Sequence, residues 1–438
     1  MQENIVDRFF IKYFLIIYYL YIMSVNVLFP KGSMVGILVN GVILLFLLYA
    51  SFIRNRHNGE FVLVYVYLIF ILLLILLQSS NVMYSFTNYI KYALGLLCLP
   101  IGFNILSSVR KLREFQKTGL AFLILYLTNL ILANIFHLGD YYGYKVEGGM
   151  EIGNVFADGL YANAYVIVSL SLLLLLFPTK KKQISLLLAI GTILIIVNMK
   201  RTVILVLAVG LIIYLSFYYL NNGIKFKFAK IQLRHITLFL LFALSVFPFF
   251  YNEIQLRLDN REKTFQQANE DITNEGRISE LIYISDEILH ADKLSTLLMG
   301  KETLNYVGTY AGGLFGERQI HGDYAKILHG TGVLGVLIWS IIHLYLVVWM
   351  IRMKRKVSHQ SGIVASIIYP LFFAFFIMYL FSMISGVSGL VVSSAFFYAS
   401  IGGFLRYFYN RQYLIGKRYY ESINSSKLSF QMEYNVKK

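Results

Sequence analysis

The sequence predicts an all-α polytopic membrane protein of about 12 transmembrane helices, with both termini in the cytoplasm and one long outer loop carrying amphipathic helices. Three observations predict it. The 438 residues are 58% hydrophobic and only 14% charged, against roughly 45–50% apolar and about 25% charged in soluble domains. Apolar runs of about 20 residues, enough to cross ~30 Å of hydrocarbon, recur along most of the chain. Basic residues fall into clusters that alternate with those runs.

Taken in order, the runs lie at about 9–29, 34–53, 61–79, 86–107, 119–137, 159–177, 183–199, 201–220, 234–252, 324–351, 362–383 and 387–409. The first is too long for a signal-peptide core, and Val25-Asn26-Val27 is a poor cleavage site, so it reads as an uncleaved span. The apolar stretch 183–220 is interrupted only by Asn198-Met199-Lys200-Arg201, which reads as a tight turn between two spans. Arg54 and Arg56, Arg110 to Lys117, Lys180 to Lys182, Lys225 to Arg234, Arg352 to Lys356, and the tail with Arg406, Arg411, Lys417 and Arg418 all fall on one side of this arrangement. By the positive-inside rule that side is the cytoplasm.

The formal net charge of +16 is therefore mostly anchoring charge rather than a nucleic-acid footprint, which would need basic residues gathered on one face or tail. A single cysteine, Cys98, lies in an apolar run, which excludes a disulfide framework and paired zinc ligands. The interval Glu253–Gly322 is different in kind: about 70 residues long, net acidic, and holding roughly half of the 23 acidic residues. Within it the spacing from Arg277 to Leu289 predicts an amphipathic helix with Ile278, Leu281, Ile282 and Leu289 on its apolar face. The chain thus divides into nine spans over 1–252, an outer loop at 253–322, three spans over 323–410 and a basic cytoplasmic tail at 411–438.

Cations on the outer side run against the topology rule, so they are the informative exceptions. Lys200 and Arg201 open the eighth span, Lys91 lies about two turns into the fourth, and Arg277 belongs to the loop. Lys91 reads either as a snorkelling side chain or as part of an anion site, and Lys200 with Arg201 either as a headgroup-bound stop signal or as a phosphate grip. His321 stands where the loop re-enters the membrane, beside Asp323 and Tyr324. A histidine there can take a proton from a hydroxyl near neutral pH, with the neighbouring carboxylate orienting it. His329 is a weaker candidate, and His343, deep in the tenth span, is expected to hydrogen-bond a neighbouring helix. No phosphate-binding Gly-rich loop and no Asp-x-Asp metal pair is present, which speaks against ATP-driven transport and metal-dependent use of nucleotide sugars.

Three segments, in order, carry a resemblance. Asn198-Met199-Lys200-Arg201-Thr202-Val203-Ile204-Leu205 is similar to a Ser-Arg-Thr/Gly opening of a span. Glu275-Gly276-Arg277-Ile278-Ser279-Glu280-Leu281, with Leu298-Met299-Gly300-Lys301-Glu302 downstream, is similar to a Gly-Arg helix followed by a Leu-x-Gly-x-Gly turn. His321-Gly322-Asp323-Tyr324-Ala325-Lys326-Ile327-Leu328, with Gly332 and Gly335, is similar to a His-Asn-x-Tyr-Leu-x-x-Leu stretch ending in Gly-x-x-Gly. In these the chain resembles the O-antigen ligase and Wzy-type O-antigen polymerase superfamily. It departs at Gly322, where Asn is usual, at Glu302, where a second Gly is usual, and in lacking a Trp after the loop arginine, Tyr283 being the nearest aromatic.

The resemblance implies a GT-C-like, metal-independent glycosyltransferase without a cofactor in the bacterial inner membrane. It would join undecaprenyl-diphosphate-linked oligosaccharide repeat units at the outer face, for lipopolysaccharide or capsule. Donor and acceptor glycans, membrane lipids, a chain-length regulator and a flippase are the partners it implies; nucleic acid is not among them. Carried over residue by residue, Arg201 and Arg277 would hold the diphosphate and His321 would deprotonate the acceptor; from their placement in the sequence, Lys200, Lys91, Asp323 and Tyr324 are the residues expected to bind substrate beside them. A ligase moving finished glycan to lipid A core or protein shares the donor and differs only in acceptor. A lipid-linked oligosaccharide flippase is a different class with a similar span number, but no paired broken helices mark matching halves. An O-acetyltransferase would be expected to bring its own motif.

Overall fold

A computed structural model of the chain describes residues 5–18, 20, 34–53, 57–135, 201–222, 276–304, 320, 322–357, 363–384 and 394–414. These residues are helical throughout, with short connections and no strand among them. In chain order the helices are α1 (Ile5–Phe9, continuing as a π turn over Phe10–Phe14), α2 (Met34–Leu48, continued by a π turn over Tyr49–Ile53), α3 (Val62–Gln78, entered through a 3-10 turn at Asn58–Phe61), α4 (Val82–Ile105) and α5 (Val109–Ile135). Then follow α6 (Arg201–Asn222), α7 (Gly276–Leu289), α8 (Leu294–Met299), α9 (Asp323–Val357), α10 (Ile363–Ile384) and α11 (394–414). Gly59–Gln78, Asp323–Val357 and Val364–Met383 are long and apolar enough to cross a membrane.

The expected spans at 159–177, 183–199 and 234–252 lie outside the described residues. Two expected boundaries move. α5 starts at Val109 rather than near 119, because Arg110, Lys111, Glu114, Gln116 and Lys117 are good helix formers and extend the apolar segment. α11 runs on to 414, past the expected 409, for the same reason, Arg411 and Gln412 being good helix formers; the expected start at 387 lies outside the described residues.

α3 shows how a membrane helix divides its surface. Val64, Tyr67, Leu68, Ile71 and Ile75 are buried in the bundle, while Val66, Ile69, Leu73 and Leu76 are exposed. Both faces are apolar, so the exposed one suits lipid rather than water. α4 begins at an Asn81 cap whose side chain accepts from the Tyr84 N–H at 3.1 Å.

Against α11, α4 packs through small residues. A Cβ on Gly102 would meet the Ala399 carbonyl, one on Gly402 the Leu99 carbonyl, and one on Gly95 the Ser394 side chain. Lipid tails are as apolar as leucine, so helices associate in a bilayer by close backbone approach, and glycine permits it. α10 is instead packed through stacked rings on both its neighbours: Phe217 of α6 on Phe373 of α10 at 4.3 Å, and Tyr379 of α10 on Phe397 of α11 at 4.0 Å.

Polar bonds tie the helices at two ends. At one, Asn410 donates to the Ser107 carbonyl at 2.6 Å, Tyr345 to Glu60 at 2.9 Å, and Lys111 pairs with Asp7 at 3.0 Å. At the other, Gln78 reaches Gly330, Asn88 reaches Leu304, and Tyr324 reaches Leu380. Consecutive helices α3 and α4, and α9 through α11, therefore run in alternating sense. The first end gathers Arg110, Lys111, Arg352, Lys356, Arg406 and Arg411 and is called the basic end below; the second is the loop end.

As expected, His343 bonds a neighbouring helix. Its Nδ1 donates to the Trp339 carbonyl at 2.8 Å, which leaves Nε2 to accept from the Tyr398 hydroxyl at 3.1 Å. At the basic end, His57 Nε2 accepts from the Arg406 guanidinium at 2.6 Å and lies edge-on to Phe103 and Tyr409. Burial, then the Arg406 charge, hold the His57 pKa below its ordinary value, and Glu60 offsets this in part.

Gly102→Ala forces backbone apart between α4 and α11 and is expected to destabilise the protein by about 2 kcal/mol, read as an earlier thermal unfolding in detergent. Because the folded pKa of His57 is lowered, the unfolded state binds a proton first as pH falls through about 6.5, and stability declines below that point. His57→Gln, which can still accept from Arg406, should flatten the thermal midpoint between about pH 7 and 5; an unchanged slope would show that other groups dominate.

Candidate functional site

At the loop end the start of α9 is held by a buried carboxylate. The Gly322 N–H donates to Glu280 Oε2 at 3.2 Å, and Glu280 is completely buried. Glu280, Ile284 and Ile288 recur every four residues and form the inward stripe of α7, packed against Ile320 and Ala325. The helix expected at 277–289 is thus present, but its face is rotated: Ile282 and Leu289 are more than half exposed. The pairing of Glu280 with a backbone donor turns the helix, since a buried carboxylate without a partner would cost more than exposing two aliphatic side chains.

Behind α7 the chain closes a second contact. α8 ends at Gly300 (φ 78°, ψ −162°), and α9 is interrupted at Gly332 (φ 60°, ψ −164°). Both conformations belong to a region that glycine alone occupies readily. The two glycines face one another backbone to backbone: a Cβ on Gly300 would lie 2.6 Å from the Gly332 nitrogen, and one on Gly332 would lie 2.5 Å from the Gly300 nitrogen. The interruption frees carbonyls that an intact helix would have used. The Lys301 N–H takes the His329 carbonyl at 2.6 Å, and the Thr303 hydroxyl takes the Gly330 carbonyl at 2.7 Å. From α3, Gln78 Nε2 lies 3.1 Å from the same Gly330 carbonyl, 2.9 Å from that of Met299 and 2.5 Å from Thr303 Oγ1.

The turn after Gly300 is fastened to α3 and α4 as well. Glu302, at φ 39°, accepts from the Ser80 N–H at 3.0 Å and hydroxyl at 2.9 Å, and Asn88 Nδ2 donates to the Leu304 carbonyl at 3.0 Å. Buried beside this turn, His329 faces Glu287, Lys301 and Glu302, and Lys301 and Glu287 pair at 2.6 Å.

Set against these contacts, the sequence candidates sort as follows. Asp323 is buried and paired with Lys326 at 3.1 Å. Tyr324 braces α9 to α10, its hydroxyl donating to the Leu380 carbonyl at 3.0 Å, and meets Trp339 edge-on at 5.9 Å. Lys91 is exposed on α4, one turn beyond the Asn88 that holds the 300–304 turn. Arg277 is the second residue of α7, one turn before Glu280, so the structure brings its helical turn beside Gly322. Arg201 opens α6, whose side-chain contacts are described only from Val206 onward. Lys200 and His321 lie outside the described residues.

Sequence reasoning gave no role to Gln78, Glu280, Thr303 or Lys326. Glu280 carried a signal: a lone acid within an otherwise apolar four-residue stripe. Gln78 carried none beyond being an amide at the end of a span. Among the described residues no cluster of His, Cys, Asp and Glu could hold a metal ion. No family model matches the chain, and no curated protein is similar to it in sequence.

Glu280→Ala should leave the Gly322 N–H without its partner, at about 1–3 kcal/mol. The expected result is faster hydrogen exchange across 276–289 and at Gly322, with Glu280→Gln, whose amide oxygen still accepts, close to wild type. Unchanged protection in Glu280→Ala would remove Glu280 as the fastener of α7.

Proposed function

We propose that the chain is a membrane polysaccharide polymerase of about twelve spans with both termini in the cytoplasm. It joins oligosaccharide repeat units carried on undecaprenyl diphosphate at the outer face of the bacterial inner membrane. The bond between Glu280 and Gly322 carries the reading, because it fastens the helix bearing Arg277 to the residue that follows His321. A diphosphate ligand and a base are needed within one substrate length of each other, and this contact joins their two segments. The turn at Gly300 supports the resemblance from a second direction: Glu302, at the position where a second glycine is usual, still has a positive φ.

In this reading His321 takes the proton of the acceptor sugar hydroxyl while its oxygen attacks the anomeric carbon of the donor. The bond from that carbon to the diphosphate oxygen breaks, and the electron pair leaves on undecaprenyl diphosphate. Arg277 and Arg201 stabilise the growing negative charge, where one preorganised donor contributes roughly 3 kcal/mol. Lys200 and Lys91 add positive potential near the leaving group. Asp323 and Tyr324 frame the entry of α9, Tyr324 by holding α10 and Asp323 through Lys326.

His321→Ala and Arg277→Ala are expected to abolish long-chain surface polysaccharide, on a gel, while protein remains in the membrane fraction. Wild-type chain lengths in both variants would overturn the mechanism. In a deletion strain, single-repeat products are expected; accumulated carrier-linked polymer would instead indicate a ligase, and repeat units held inside the cell a flippase.

A further inference from the structure

At the basic end, between the start of α3 and the end of α9, lies a cavity of about 240 Å³. Glu60, Tyr345, Trp349, Arg352, Met353 and Lys356 are among its walls. It is smaller than the roughly 300–1,000 Å³ of pockets that enclose drug-sized ligands, a size that suits a headgroup. Its single acid is already engaged, since Glu60 accepts from the Tyr345 hydroxyl at 2.9 Å. Arg352 and Lys356 have no carboxylate within ion-pair distance among the described residues.

A third cation stands behind the cavity wall. Arg406 stacks over Phe103 at 5.1 Å, and Phe103 in turn packs on Trp349 at 5.2 Å. Its polar partner is the neutral His57 ring, and its Nε is buried without a hydrogen-bond partner. Two cations in the wall of the recess and a third behind it, with the wall's only acid spent on a tyrosine, leave an excess positive charge at the end of the bundle where basic residues gather. Basic recesses between membrane helices at the cytoplasmic face attract anionic lipid headgroups.

We propose that this cavity binds the phosphate headgroup of an anionic phospholipid of the inner leaflet, held by Arg352 and Lys356, with Trp349 and Met353 in the wall beside it. The site is separate from the loop end; it rests on the proposed orientation, which puts the basic end at the cytoplasmic face, and not on the polymerase activity.

Trp339 and Trp349 are the two tryptophans of the chain, so Trp339→Phe leaves Trp349 as a fluorescent reporter in the cavity wall. The full-length Trp339→Phe protein is placed in bilayers containing a minor fraction of phosphatidylglycerol or phosphatidylcholine with brominated acyl chains. Quenching of Trp349 should be stronger with brominated phosphatidylglycerol, and adding Arg352→Gln and Lys356→Gln should weaken that preference by about tenfold. Equal quenching by the two lipids overturns the proposal without any further variant. Loss of the preference on adding millimolar inorganic phosphate would assign the cavity to a free anion and overturn the lipid as its source. Unchanged preference in the double variant would overturn the roles of Arg352 and Lys356.

Discussion

A buried backbone carbonyl without a donor is costly, so a helix broken inside a packed bundle must find donors from elsewhere in its own protein. Gly332 breaks α9 about ten residues into the helix, and the arrangement of the loop end follows from repairing that break. The Lys301 N–H, the Thr303 hydroxyl and the Gln78 amide each take one of the freed oxygens or a neighbour of it. These donors come from the segment after α8 and from α3, so the repair also fixes the 299–304 turn onto the bundle. Gly300 is the counterpart of Gly332: neither position admits a side chain, and together they let two backbones meet.

Consequences spread from that contact. With the turn fixed, Glu302 ties it to the α3–α4 connection through Ser80 and Leu304 ties it to α4 through Asn88, one turn before Lys91. α7, connected to the turn through α8, is then fastened at its other side by Glu280 to Gly322. Two anchors, one at each end of the α7–α8 segment, determine where Arg277 stands relative to the mouth of α9. The basic end is organised by a different balance. There the helices converge on aromatic rings and neutral partners, as with Arg406 on Phe103 and His57, and charge remains in excess.

Much of this was legible in one dimension. The apolar runs at 34–53, 61–79, 86–107, 201–220, 324–351 and 362–383 coincide with α2, α3, α4, α6, α9 and α10, because hydrophobic length is a property of consecutive residues. The loop helix was legible at 277–289 by its periodicity, and His343 by its cost if unpaired. The face of that helix was not legible. Hydrophobicity alone placed Ile282 and Leu289 inside, whereas Glu280 wins the interior by bonding a backbone N–H forty-two positions away.

What the sequence by itself determined, then, is a helical chain dominated by apolar segments, with basic residues clustered between them and a net-acidic interval at 253–322. Those features add residue by residue and need no partner. Tertiary structure alone decided which polar groups meet: Gln78 with Gly330, Glu302 with Ser80, Tyr324 with Leu380. Each such pair joins positions distant in the chain, and its strength depends on distance and angle rather than on residue type.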